Sequence, residues 1–339
     1  MDATAASEPR IRAARSSPVV DRAGENLLHV EGLNVSYRTR RGSLPAVRDV
    51  SFSLARGEVL GLVGESGSGK STVLTALMRM LPKDTTLAAD RLDFDGQDLQ
   101  GISEQQMRRL RGRRIGLVPQ RPMTSLSPVT PVRRQLRRLT GSAIDDQRLD
   151  ELLASVGLRG LHSRLSDYPF QFSGGQLQRM LIAVAVLSHE PELVLADEPT
   201  TTLDATVQAQ ILSLLLDLRD RLNNSMIFVS HDLAVISQVC DRVGVMYGGH
   251  LVELAPTAEL FNNPQHPYTI ALLQAMPASH QRGERLRAIE GTVSGSHLLP
   301  GCPFAPRCPR ADSVCVTTMP EPELIGGSIV RCFHPGGTP

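Results

Sequence analysis

The amino-acid sequence predicts an α/β fold followed by a smaller, cysteine-containing C-terminal unit, and three observations carry that expectation. Residues 59–63, 193–196 and 226–229 are short, wholly apolar runs, the pattern of strands buried on both faces in a parallel sheet. Segments with helical spacing lie among them, so strand and helix alternate. After about Pro256 the character changes: prolines and glycines gather there with four of the five cysteines.

The elements follow in order. Residues 27–37 alternate apolar and polar side chains (Leu28, Val30, Leu33, Val35) and predict a strand, and residues 47–54 predict a second. Arg56-Gly57 is a turn, followed by the buried strand 59–63. A glycine-rich run occupies 64–69, then residues 71–81 have helical spacing. Residues 115–118 read as another short strand and 145–187 as mainly helical. A helix over 206–222 separates the strands 193–196 and 226–229. Residues 243–247 and 250–254 form a hairpin around Gly248-Gly249.

Composition sets limits. The 339 residues hold 36 Lys+Arg against 35 Asp+Glu, which removes bulk attraction to nucleic acid as a default. Only two of the basic residues are lysines, Lys70 and Lys83; the other 34 are arginines. If codon composition accounts for the arginines, a lysine that is kept is expected where arginine would not serve. No run approaches the ~18 apolar residues of a membrane-spanning helix. The N-terminal residues lack the apolar centre of a secretory signal and read as a flexible tail, so a cytosolic chain is expected unless something tethers it. Cysteines in that compartment are core residues or ligands rather than disulfides.

The strongest motif is Gly64-Glu65-Ser66-Gly67-Ser68-Gly69-Lys70-Ser71, the phosphate-binding pattern G-x-x-x-x-G-K-[ST] between a buried strand and a helix. Its glycines let backbone N–H groups turn inward around phosphate oxygens, and the helix N-terminus adds partial positive charge. Lys70 is a point charge for the β- and γ-phosphates, and Ser71 is placed to ligate Mg²⁺. The strand 193–196 delivers Asp197 and Glu198 at its C-terminal end, one to hold Mg²⁺ and one to polarise an attacking water. Ser230-His231-Asp232 does not read as a hydrolase triad, because three consecutive residues cannot point at one another.

Phe172-Ser173-Gly174-Gly175-Gln176 precedes helical spacing, and here the chain resembles the ATP-binding-cassette (ABC) ATPases, whose signature is LSGGQ-like. The resemblance covers roughly 28–255. It implies an ABC-type core with an antiparallel β subdomain and a helical subdomain. It implies that Tyr37 stacks on adenine, that Thr72 joins the nucleotide contacts, and that Gln120 senses Mg²⁺ and the membrane partner. Thr202-Leu203-Asp204 matches the D-loop, and His231 the switch histidine at the γ-phosphate. Two such units dimerise head to tail, so Ser173, Gly174, Gly175 and Gln176 serve the partner's ATP. Glu198, His231, Gln120 and Lys70 are the expected catalytic set.

The end of the chain narrows the branch. His266-Pro267-Tyr268-Thr269, the cysteine-bearing segment from Gly301, and Pro122-Met123-Thr124-Ser125-Leu126-x-Pro128 are similar to the oligopeptide/dipeptide/nickel importer ATPases. The expected division is a tail (1–26), an ATPase domain (27–255) and an importer-type C-terminal domain (256–339). Cys302, Cys308, Cys315 and Cys332 are spaced C-x5-C-x6-C-x16-C. Four thiolates suit an iron–sulfur cluster or Zn²⁺, or stand unliganded; the resemblance implies a [4Fe–4S] cluster in some members. His334 is a possible substitute ligand, and Cys240 is a core residue. Ten arginines within 107–138 lack interleaved aromatics and read as a partner-facing surface rather than a nucleic-acid site.

The implied function is the ATP-hydrolysing subunit of a peptide importer on the cytoplasmic side of the inner membrane. Its implied partners are a second ATPase subunit in a heterodimer, two membrane-spanning permease subunits and an extracytoplasmic binding protein. The alternatives are a nickel or metal-chelate importer and a soluble, non-transport ABC ATPase.

Overall fold

The computed structural model describes residues 26–40, 42–141, 144–201, 203–276, 289–292 and 295–336. The expected N-terminal tail and Thr202 of the D-loop lie outside these, except for Asn26, which opens the first strand.

β1 (Asn26–Thr39) and β2 (Gly42–Ala55) pair antiparallel, with Leu28 opposite Leu54 and Val30 opposite Phe52. Their alternation buries Leu28, Val30, Leu33, Val35, Phe52 and Leu54 on one face. β3 (Val59–Val63) is buried along its whole length and feeds the glycine-rich loop and α1 (Lys70–Leu77). The chain then returns to the first sheet: β4 (Thr85–Ala88) and β5 (Arg91–Phe94) pair with β1, and β6 (Gln97–Asp98) with β5. α2 (Glu104–Leu110) opens on a reciprocal Ser103/Gln106 cap and leads to β7 (Ile115–Val118). Four helices follow: α3 (Pro122–Ser125), α4 (Val132–Thr140), α5 (Asp146–Ser155) and α6 (Gly174–Ile182).

β8 (Leu193–Asp197), α7 (Ala205–Leu222), β9 (Ser225–Val229), α8 (Leu233–Val239) and β10 (Arg242–Tyr247) complete the parallel core. β11 (His250–Pro256) turns back antiparallel on β10. Gly248 and Gly249 have φ of 54° and 87°, the paired positive angles of a tight hairpin turn. The extension contributes α9 (Thr257–Asn262), α10 (Pro267–Gln274), α11 (Ser313–Thr317), β12 (Glu323–Ile325) and β13 (Ser328–Val330). The second sheet runs β12-β13-β11-β10-β3-β9-β8-β7.

One expectation is corrected. The helix after the glycine-rich run stops at Leu77 rather than at 81, because Arg79 adopts φ 48° and Pro82 follows. Residues 145–187 are mainly helical, as expected, with one interruption. Gly157 and Gly160 take positive φ and Pro169 follows, so 156–173 holds only turns and two single 3₁₀ turns.

The extension does not stand apart. β13 pairs with β11, placing Val330 opposite Glu253. Tyr268, Cys302, Phe304 and Cys315 join the apolar cluster that also holds Val63, Val245 and Tyr247. Several of the clustered arginines are structural rather than free surface. Arg111 donates to Met78 O and Arg79 O, Arg114 pairs with Glu192 and Asp95, and Arg133 and Arg137 pair with Asp146. Lys83 is exposed. Cys240 is buried against Gly61, and burial pushes its thiol well up, as a core residue requires.

Candidate active site

Ligands of open α/β sheets bind beyond the C-terminal strand ends, and here β3 and β8 end side by side across β9. The loop after β3 needs glycine at two places. A Cβ on Gly64 (φ 146°) would sit 2.1 Å from Met246 O, and one on Gly69 (φ 105°) 2.5 Å from Ala46 O. Lys70 is buried inside this loop. Its Nζ donates to Gly64 O (2.7 Å), Glu65 O (3.0 Å) and Ser68 Oγ (3.3 Å). Burial lowers its pKa, and Glu198, Asp197 and Glu65 oppose that.

Ser71 Oγ donates to Asp197 Oδ1 at 2.8 Å, so the hydroxyl and the carboxylate expected to hold Mg²⁺ already face each other. Burial raises the Asp197 pKa, as does the neighbouring Glu198, while Ser71 and Lys70 pull it down. Both donors are hard oxygens, so the pair fits the ion.

Glu198 sits at φ 41°, a left-handed conformation that costs ~1–3 kcal/mol in a non-glycine residue. The strain is fixed by Glu198 N–H donating to Val229 O (3.0 Å). Its Oε2 accepts from Gln120 Nε2 (2.9 Å) and Thr201 Oγ1 (2.9 Å), with His231 Nδ1 at 3.3 Å. Two expected residues from separate loops therefore converge on one carboxylate oxygen. Gln178 of α6 steadies the glutamine's loop by donating to Pro119 O (3.3 Å).

These groups open on a cleft of about 330 Å³, lined among others by Tyr37, Ser66, Gly67, Lys70, Ser71, Thr72, Gln120 and Glu198. Tyr37 Oη lies 3.2 Å from Thr72 Oγ1, at the cleft's outer side chains. Ser173, Gly174, Gly175, Gln176 and Asp204 do not line it. Ser173 caps α6 and Asp204 caps α7, and a Cβ on Gly175 would meet Val207 Cγ1 at 2.7 Å. The N-terminal turns of α6 and α7 thus pack against each other, outside the lining of this chain's own phosphate-loop cleft. Sequence reasoning missed Thr201, whose only signal is its place three residues after Glu198. It also missed Tyr268 and Arg307, which reach Glu65 from the extension.

A second cavity is lined by Cys302, Cys308, Cys315 and Cys332, with Phe304, His266 and His334. Burial raises all four thiol pKa values, to about 11 for Cys302 and about 12 for Cys332, and the other cysteines add to both. Backbone N–H groups already point at sulfur: His334 N donates to Cys332 Sγ (3.3 Å) and Arg310 N to Cys308 Sγ (3.4 Å). Four sulfurs on one cavity, two of them with amide donors, fit a group bound by thiolates. Donor atoms of Asp312, Cys315 and His334 lie within 4.8 Å of one another at its edge.

The family model for ABC transporters matches residues 47–201, and that for the oligopeptide/dipeptide transporter C-terminal region matches 252–315. The chain is 39% identical to the oligopeptide transport ATP-binding protein OppD of Escherichia coli (strain K12), over 94% of this chain and 96% of the relative. It is 40% identical to the dipeptide transport ATP-binding protein DppD of the same strain, over 91% and 97%. A putative peptide import ATP-binding protein of Brucella abortus (strain 2308) is 42% identical over 90% and 94%. Among solved structures, cbiO1 of Clostridium perfringens, part of the ABC transporter complex cbiONQ, aligns with a TM-score of 0.59 at 27% identity, over 70% of this chain and 91% of that one.

Proposed function

The chain belongs to the ATP-binding subunits of ABC transporters, in the branch that carries the oligopeptide/dipeptide C-terminal region, and from that premise we propose that it hydrolyses ATP to power peptide uptake across the cytoplasmic membrane. The observation that carries the reading is that Lys70, Ser71, Gln120 and Glu198 line one cleft, with Asp197 joined to it through Ser71 and His231 through Glu198.

Each residue has a role there. Lys70 and the loop N–H groups neutralise the phosphates. Ser71, Asp197 and Gln120 would hold Mg²⁺, which when bound would supply charge neutralisation to the phosphates. Glu198 takes the proton of the attacking water as general base, and Gln120, Thr201 and His231 hold its carboxylate in place. Tyr37 offers a face to the adenine. Ser173, Gly174, Gly175, Gln176 and Asp204 act across a dimer on the partner subunit's nucleotide. Their position outside this chain's own cleft supports that. ATP then bridges two subunits, and hydrolysis releases them.

No described helix is long and apolar enough to cross a membrane. Likeness to the transport ATP-binding relatives supports peripheral membrane association through two permease subunits fed by a substrate-binding protein. The second ATPase subunit is a different chain of the same family. Cys302, Cys308, Cys315 and Cys332 hold a [4Fe–4S] cluster, with Zn²⁺ as the alternative occupant. A bound group supplies structural cross-linking of the extension. The test of the whole reading is ATP turnover by the reconstituted complex. Turnover should rise when peptide-loaded binding protein is supplied, and indifference to peptide would contradict an importer role.

A further inference from the structure

The mechanism leaves one residue of the phosphate loop without a task. Glu65 follows Gly64, and the peptide that joins them is held from both sides. Its carbonyl, Gly64 O, accepts from Lys70 Nζ at 2.7 Å. Its N–H, on Glu65, donates to Tyr268 Oη at 2.9 Å. Tyr268 belongs to α10 of the extension and is fully buried. One peptide plane therefore ties the lysine that meets phosphate to a tyrosine 203 residues away. Tilting that plane moves Gly64 O, and with it the resting place of the Lys70 ammonium.

The Glu65 side chain is held as firmly. Arg307 Nη1 donates to both carboxylate oxygens, at 3.0 and 3.2 Å, and to Tyr247 Oη at 2.9 Å. Arg307 Nε and Nη2 donate to Glu290 O (2.7 Å) and Ile289 O (3.0 Å). The Arg307 side chain is 8% exposed and that of Glu65 28%, so the arginine end of the ion pair is shielded from solvent. The guanidinium lies over the rings of Tyr247 and Phe304, and these pack with Tyr268 at centroid distances of 4.5 to 5.3 Å. Backbone, carboxylate and ring contacts all converge on a single loop residue.

We propose that Tyr268 and Arg307 are positioning residues for the nucleotide, acting through Glu65 to hold the phosphate loop in its binding shape. The proposal rests on the reading of that loop as the ATP site. It makes the extension part of the nucleotide site, beyond its share of the core and its place at the edge of the sheet. The residue after Arg307 is Cys308, so the same lever reaches the cysteine pocket.

The test compares MgATP affinity of the full chain, by titration, with KM and kcat of the assembled complex. Tyr268→Phe keeps the ring in its aromatic cluster and removes only the hydroxyl, leaving the Glu65 N–H without its partner. Arg307→Gln removes the ion pair. Each should weaken MgATP binding and raise KM about five- to tenfold, with kcat within about twofold. Arg307→Lys should recover part of the loss, and Glu65→Gln in the Arg307→Gln background should add nothing further. Asp49→Asn, which weakens a different tie between extension and cassette at Arg331, should leave both values unchanged. Wild-type-like KM in Tyr268→Phe and Arg307→Gln would overturn the proposal, as would a lower melting temperature with KM unmoved. A wild-type chain that fails to bind MgATP would overturn the ATP-site reading as well.

Discussion

In the phosphate-loop cleft Lys70 lies among acceptors, with Gly64 O at 2.7 Å and the carboxylates of Asp197 and Glu198 raising its pKa against burial. In the cysteine pocket four thiols line one cavity; burial raises their pKa values, and neighbouring cysteines add to those of Cys302, Cys315 and Cys332. The first region is arranged in advance for a charged ligand by fixed dipoles and opposite charges. The second gathers like groups that become thiolates together only when a cation holds them. Damage to the first should therefore remove function and leave the fold, whereas damage to the second should weaken the fold and reach function only through Arg307 and Glu65.

The largest effect should come from Lys70→Ala. Loss of the one cation inside the loop should weaken MgATP binding by ~100-fold or more, with the melting temperature nearly unchanged. Titration beside a thermal melt checks this; a collapse of the fold with the affinity would erase the contrast between the regions. The next effect concerns the thiols. Protein purified without oxygen should be brown and carry about four irons per chain, and Cys308→Ser should lower the melting temperature by roughly 5 °C or more. Colourless, iron-free protein with stoichiometric zinc would favour the alternative occupant; metal-free protein would leave packing alone to hold the extension.

The smallest effect is one of pH. Burial lowers His250 and His266 to about 3, below the 6.5 of a free histidine. The folded chain refuses protons that the unfolded chain accepts below 6.5. Stability is therefore fully present above that pH and falls as pH drops toward 3, by up to about 1.4 kcal/mol per pH unit for each histidine. Melting between pH 7 and 5.5 should show the slope, and a His250→Gln/His266→Gln chain should flatten it. An equal slope in that variant would place the titration elsewhere.

The contrast between the regions also explains what could be read from the sequence. The phosphate loop lies on consecutive residues between a strand and a helix, so Gly64 to Ser71 declared its geometry and Lys70 its charge. Asp197 and Glu198 end an apolar strand, which placed them at the ligand edge of the sheet. The interruption over 156–173 is signalled by Gly157, Gly160 and Pro169, inside a stretch that is otherwise mainly helical. The link from Tyr268 and Arg307 to Glu65 was not legible, because it spans 203 and 242 residues and follows no period. The pairing of β13 with β11 was hidden for the same reason: a three-residue strand carries too little pattern to name its neighbour. The two lysines divide along this line. Lys70 sits where a point charge is needed, and Lys83 lies exposed with no structural account.

The central claim is that Glu198 is the base that activates water for ATP hydrolysis, held by Gln120, Thr201 and His231. The most direct measurement is single-turnover hydrolysis by the assembled complex carrying Glu198→Gln in this subunit, with MgATP binding measured in parallel. The amide keeps the shape of the site and loses the proton acceptor. Binding should stay within about threefold of wild type while the hydrolysis rate at this site falls by ~100-fold or more. Hydrolysis at the wild-type rate would contradict the account.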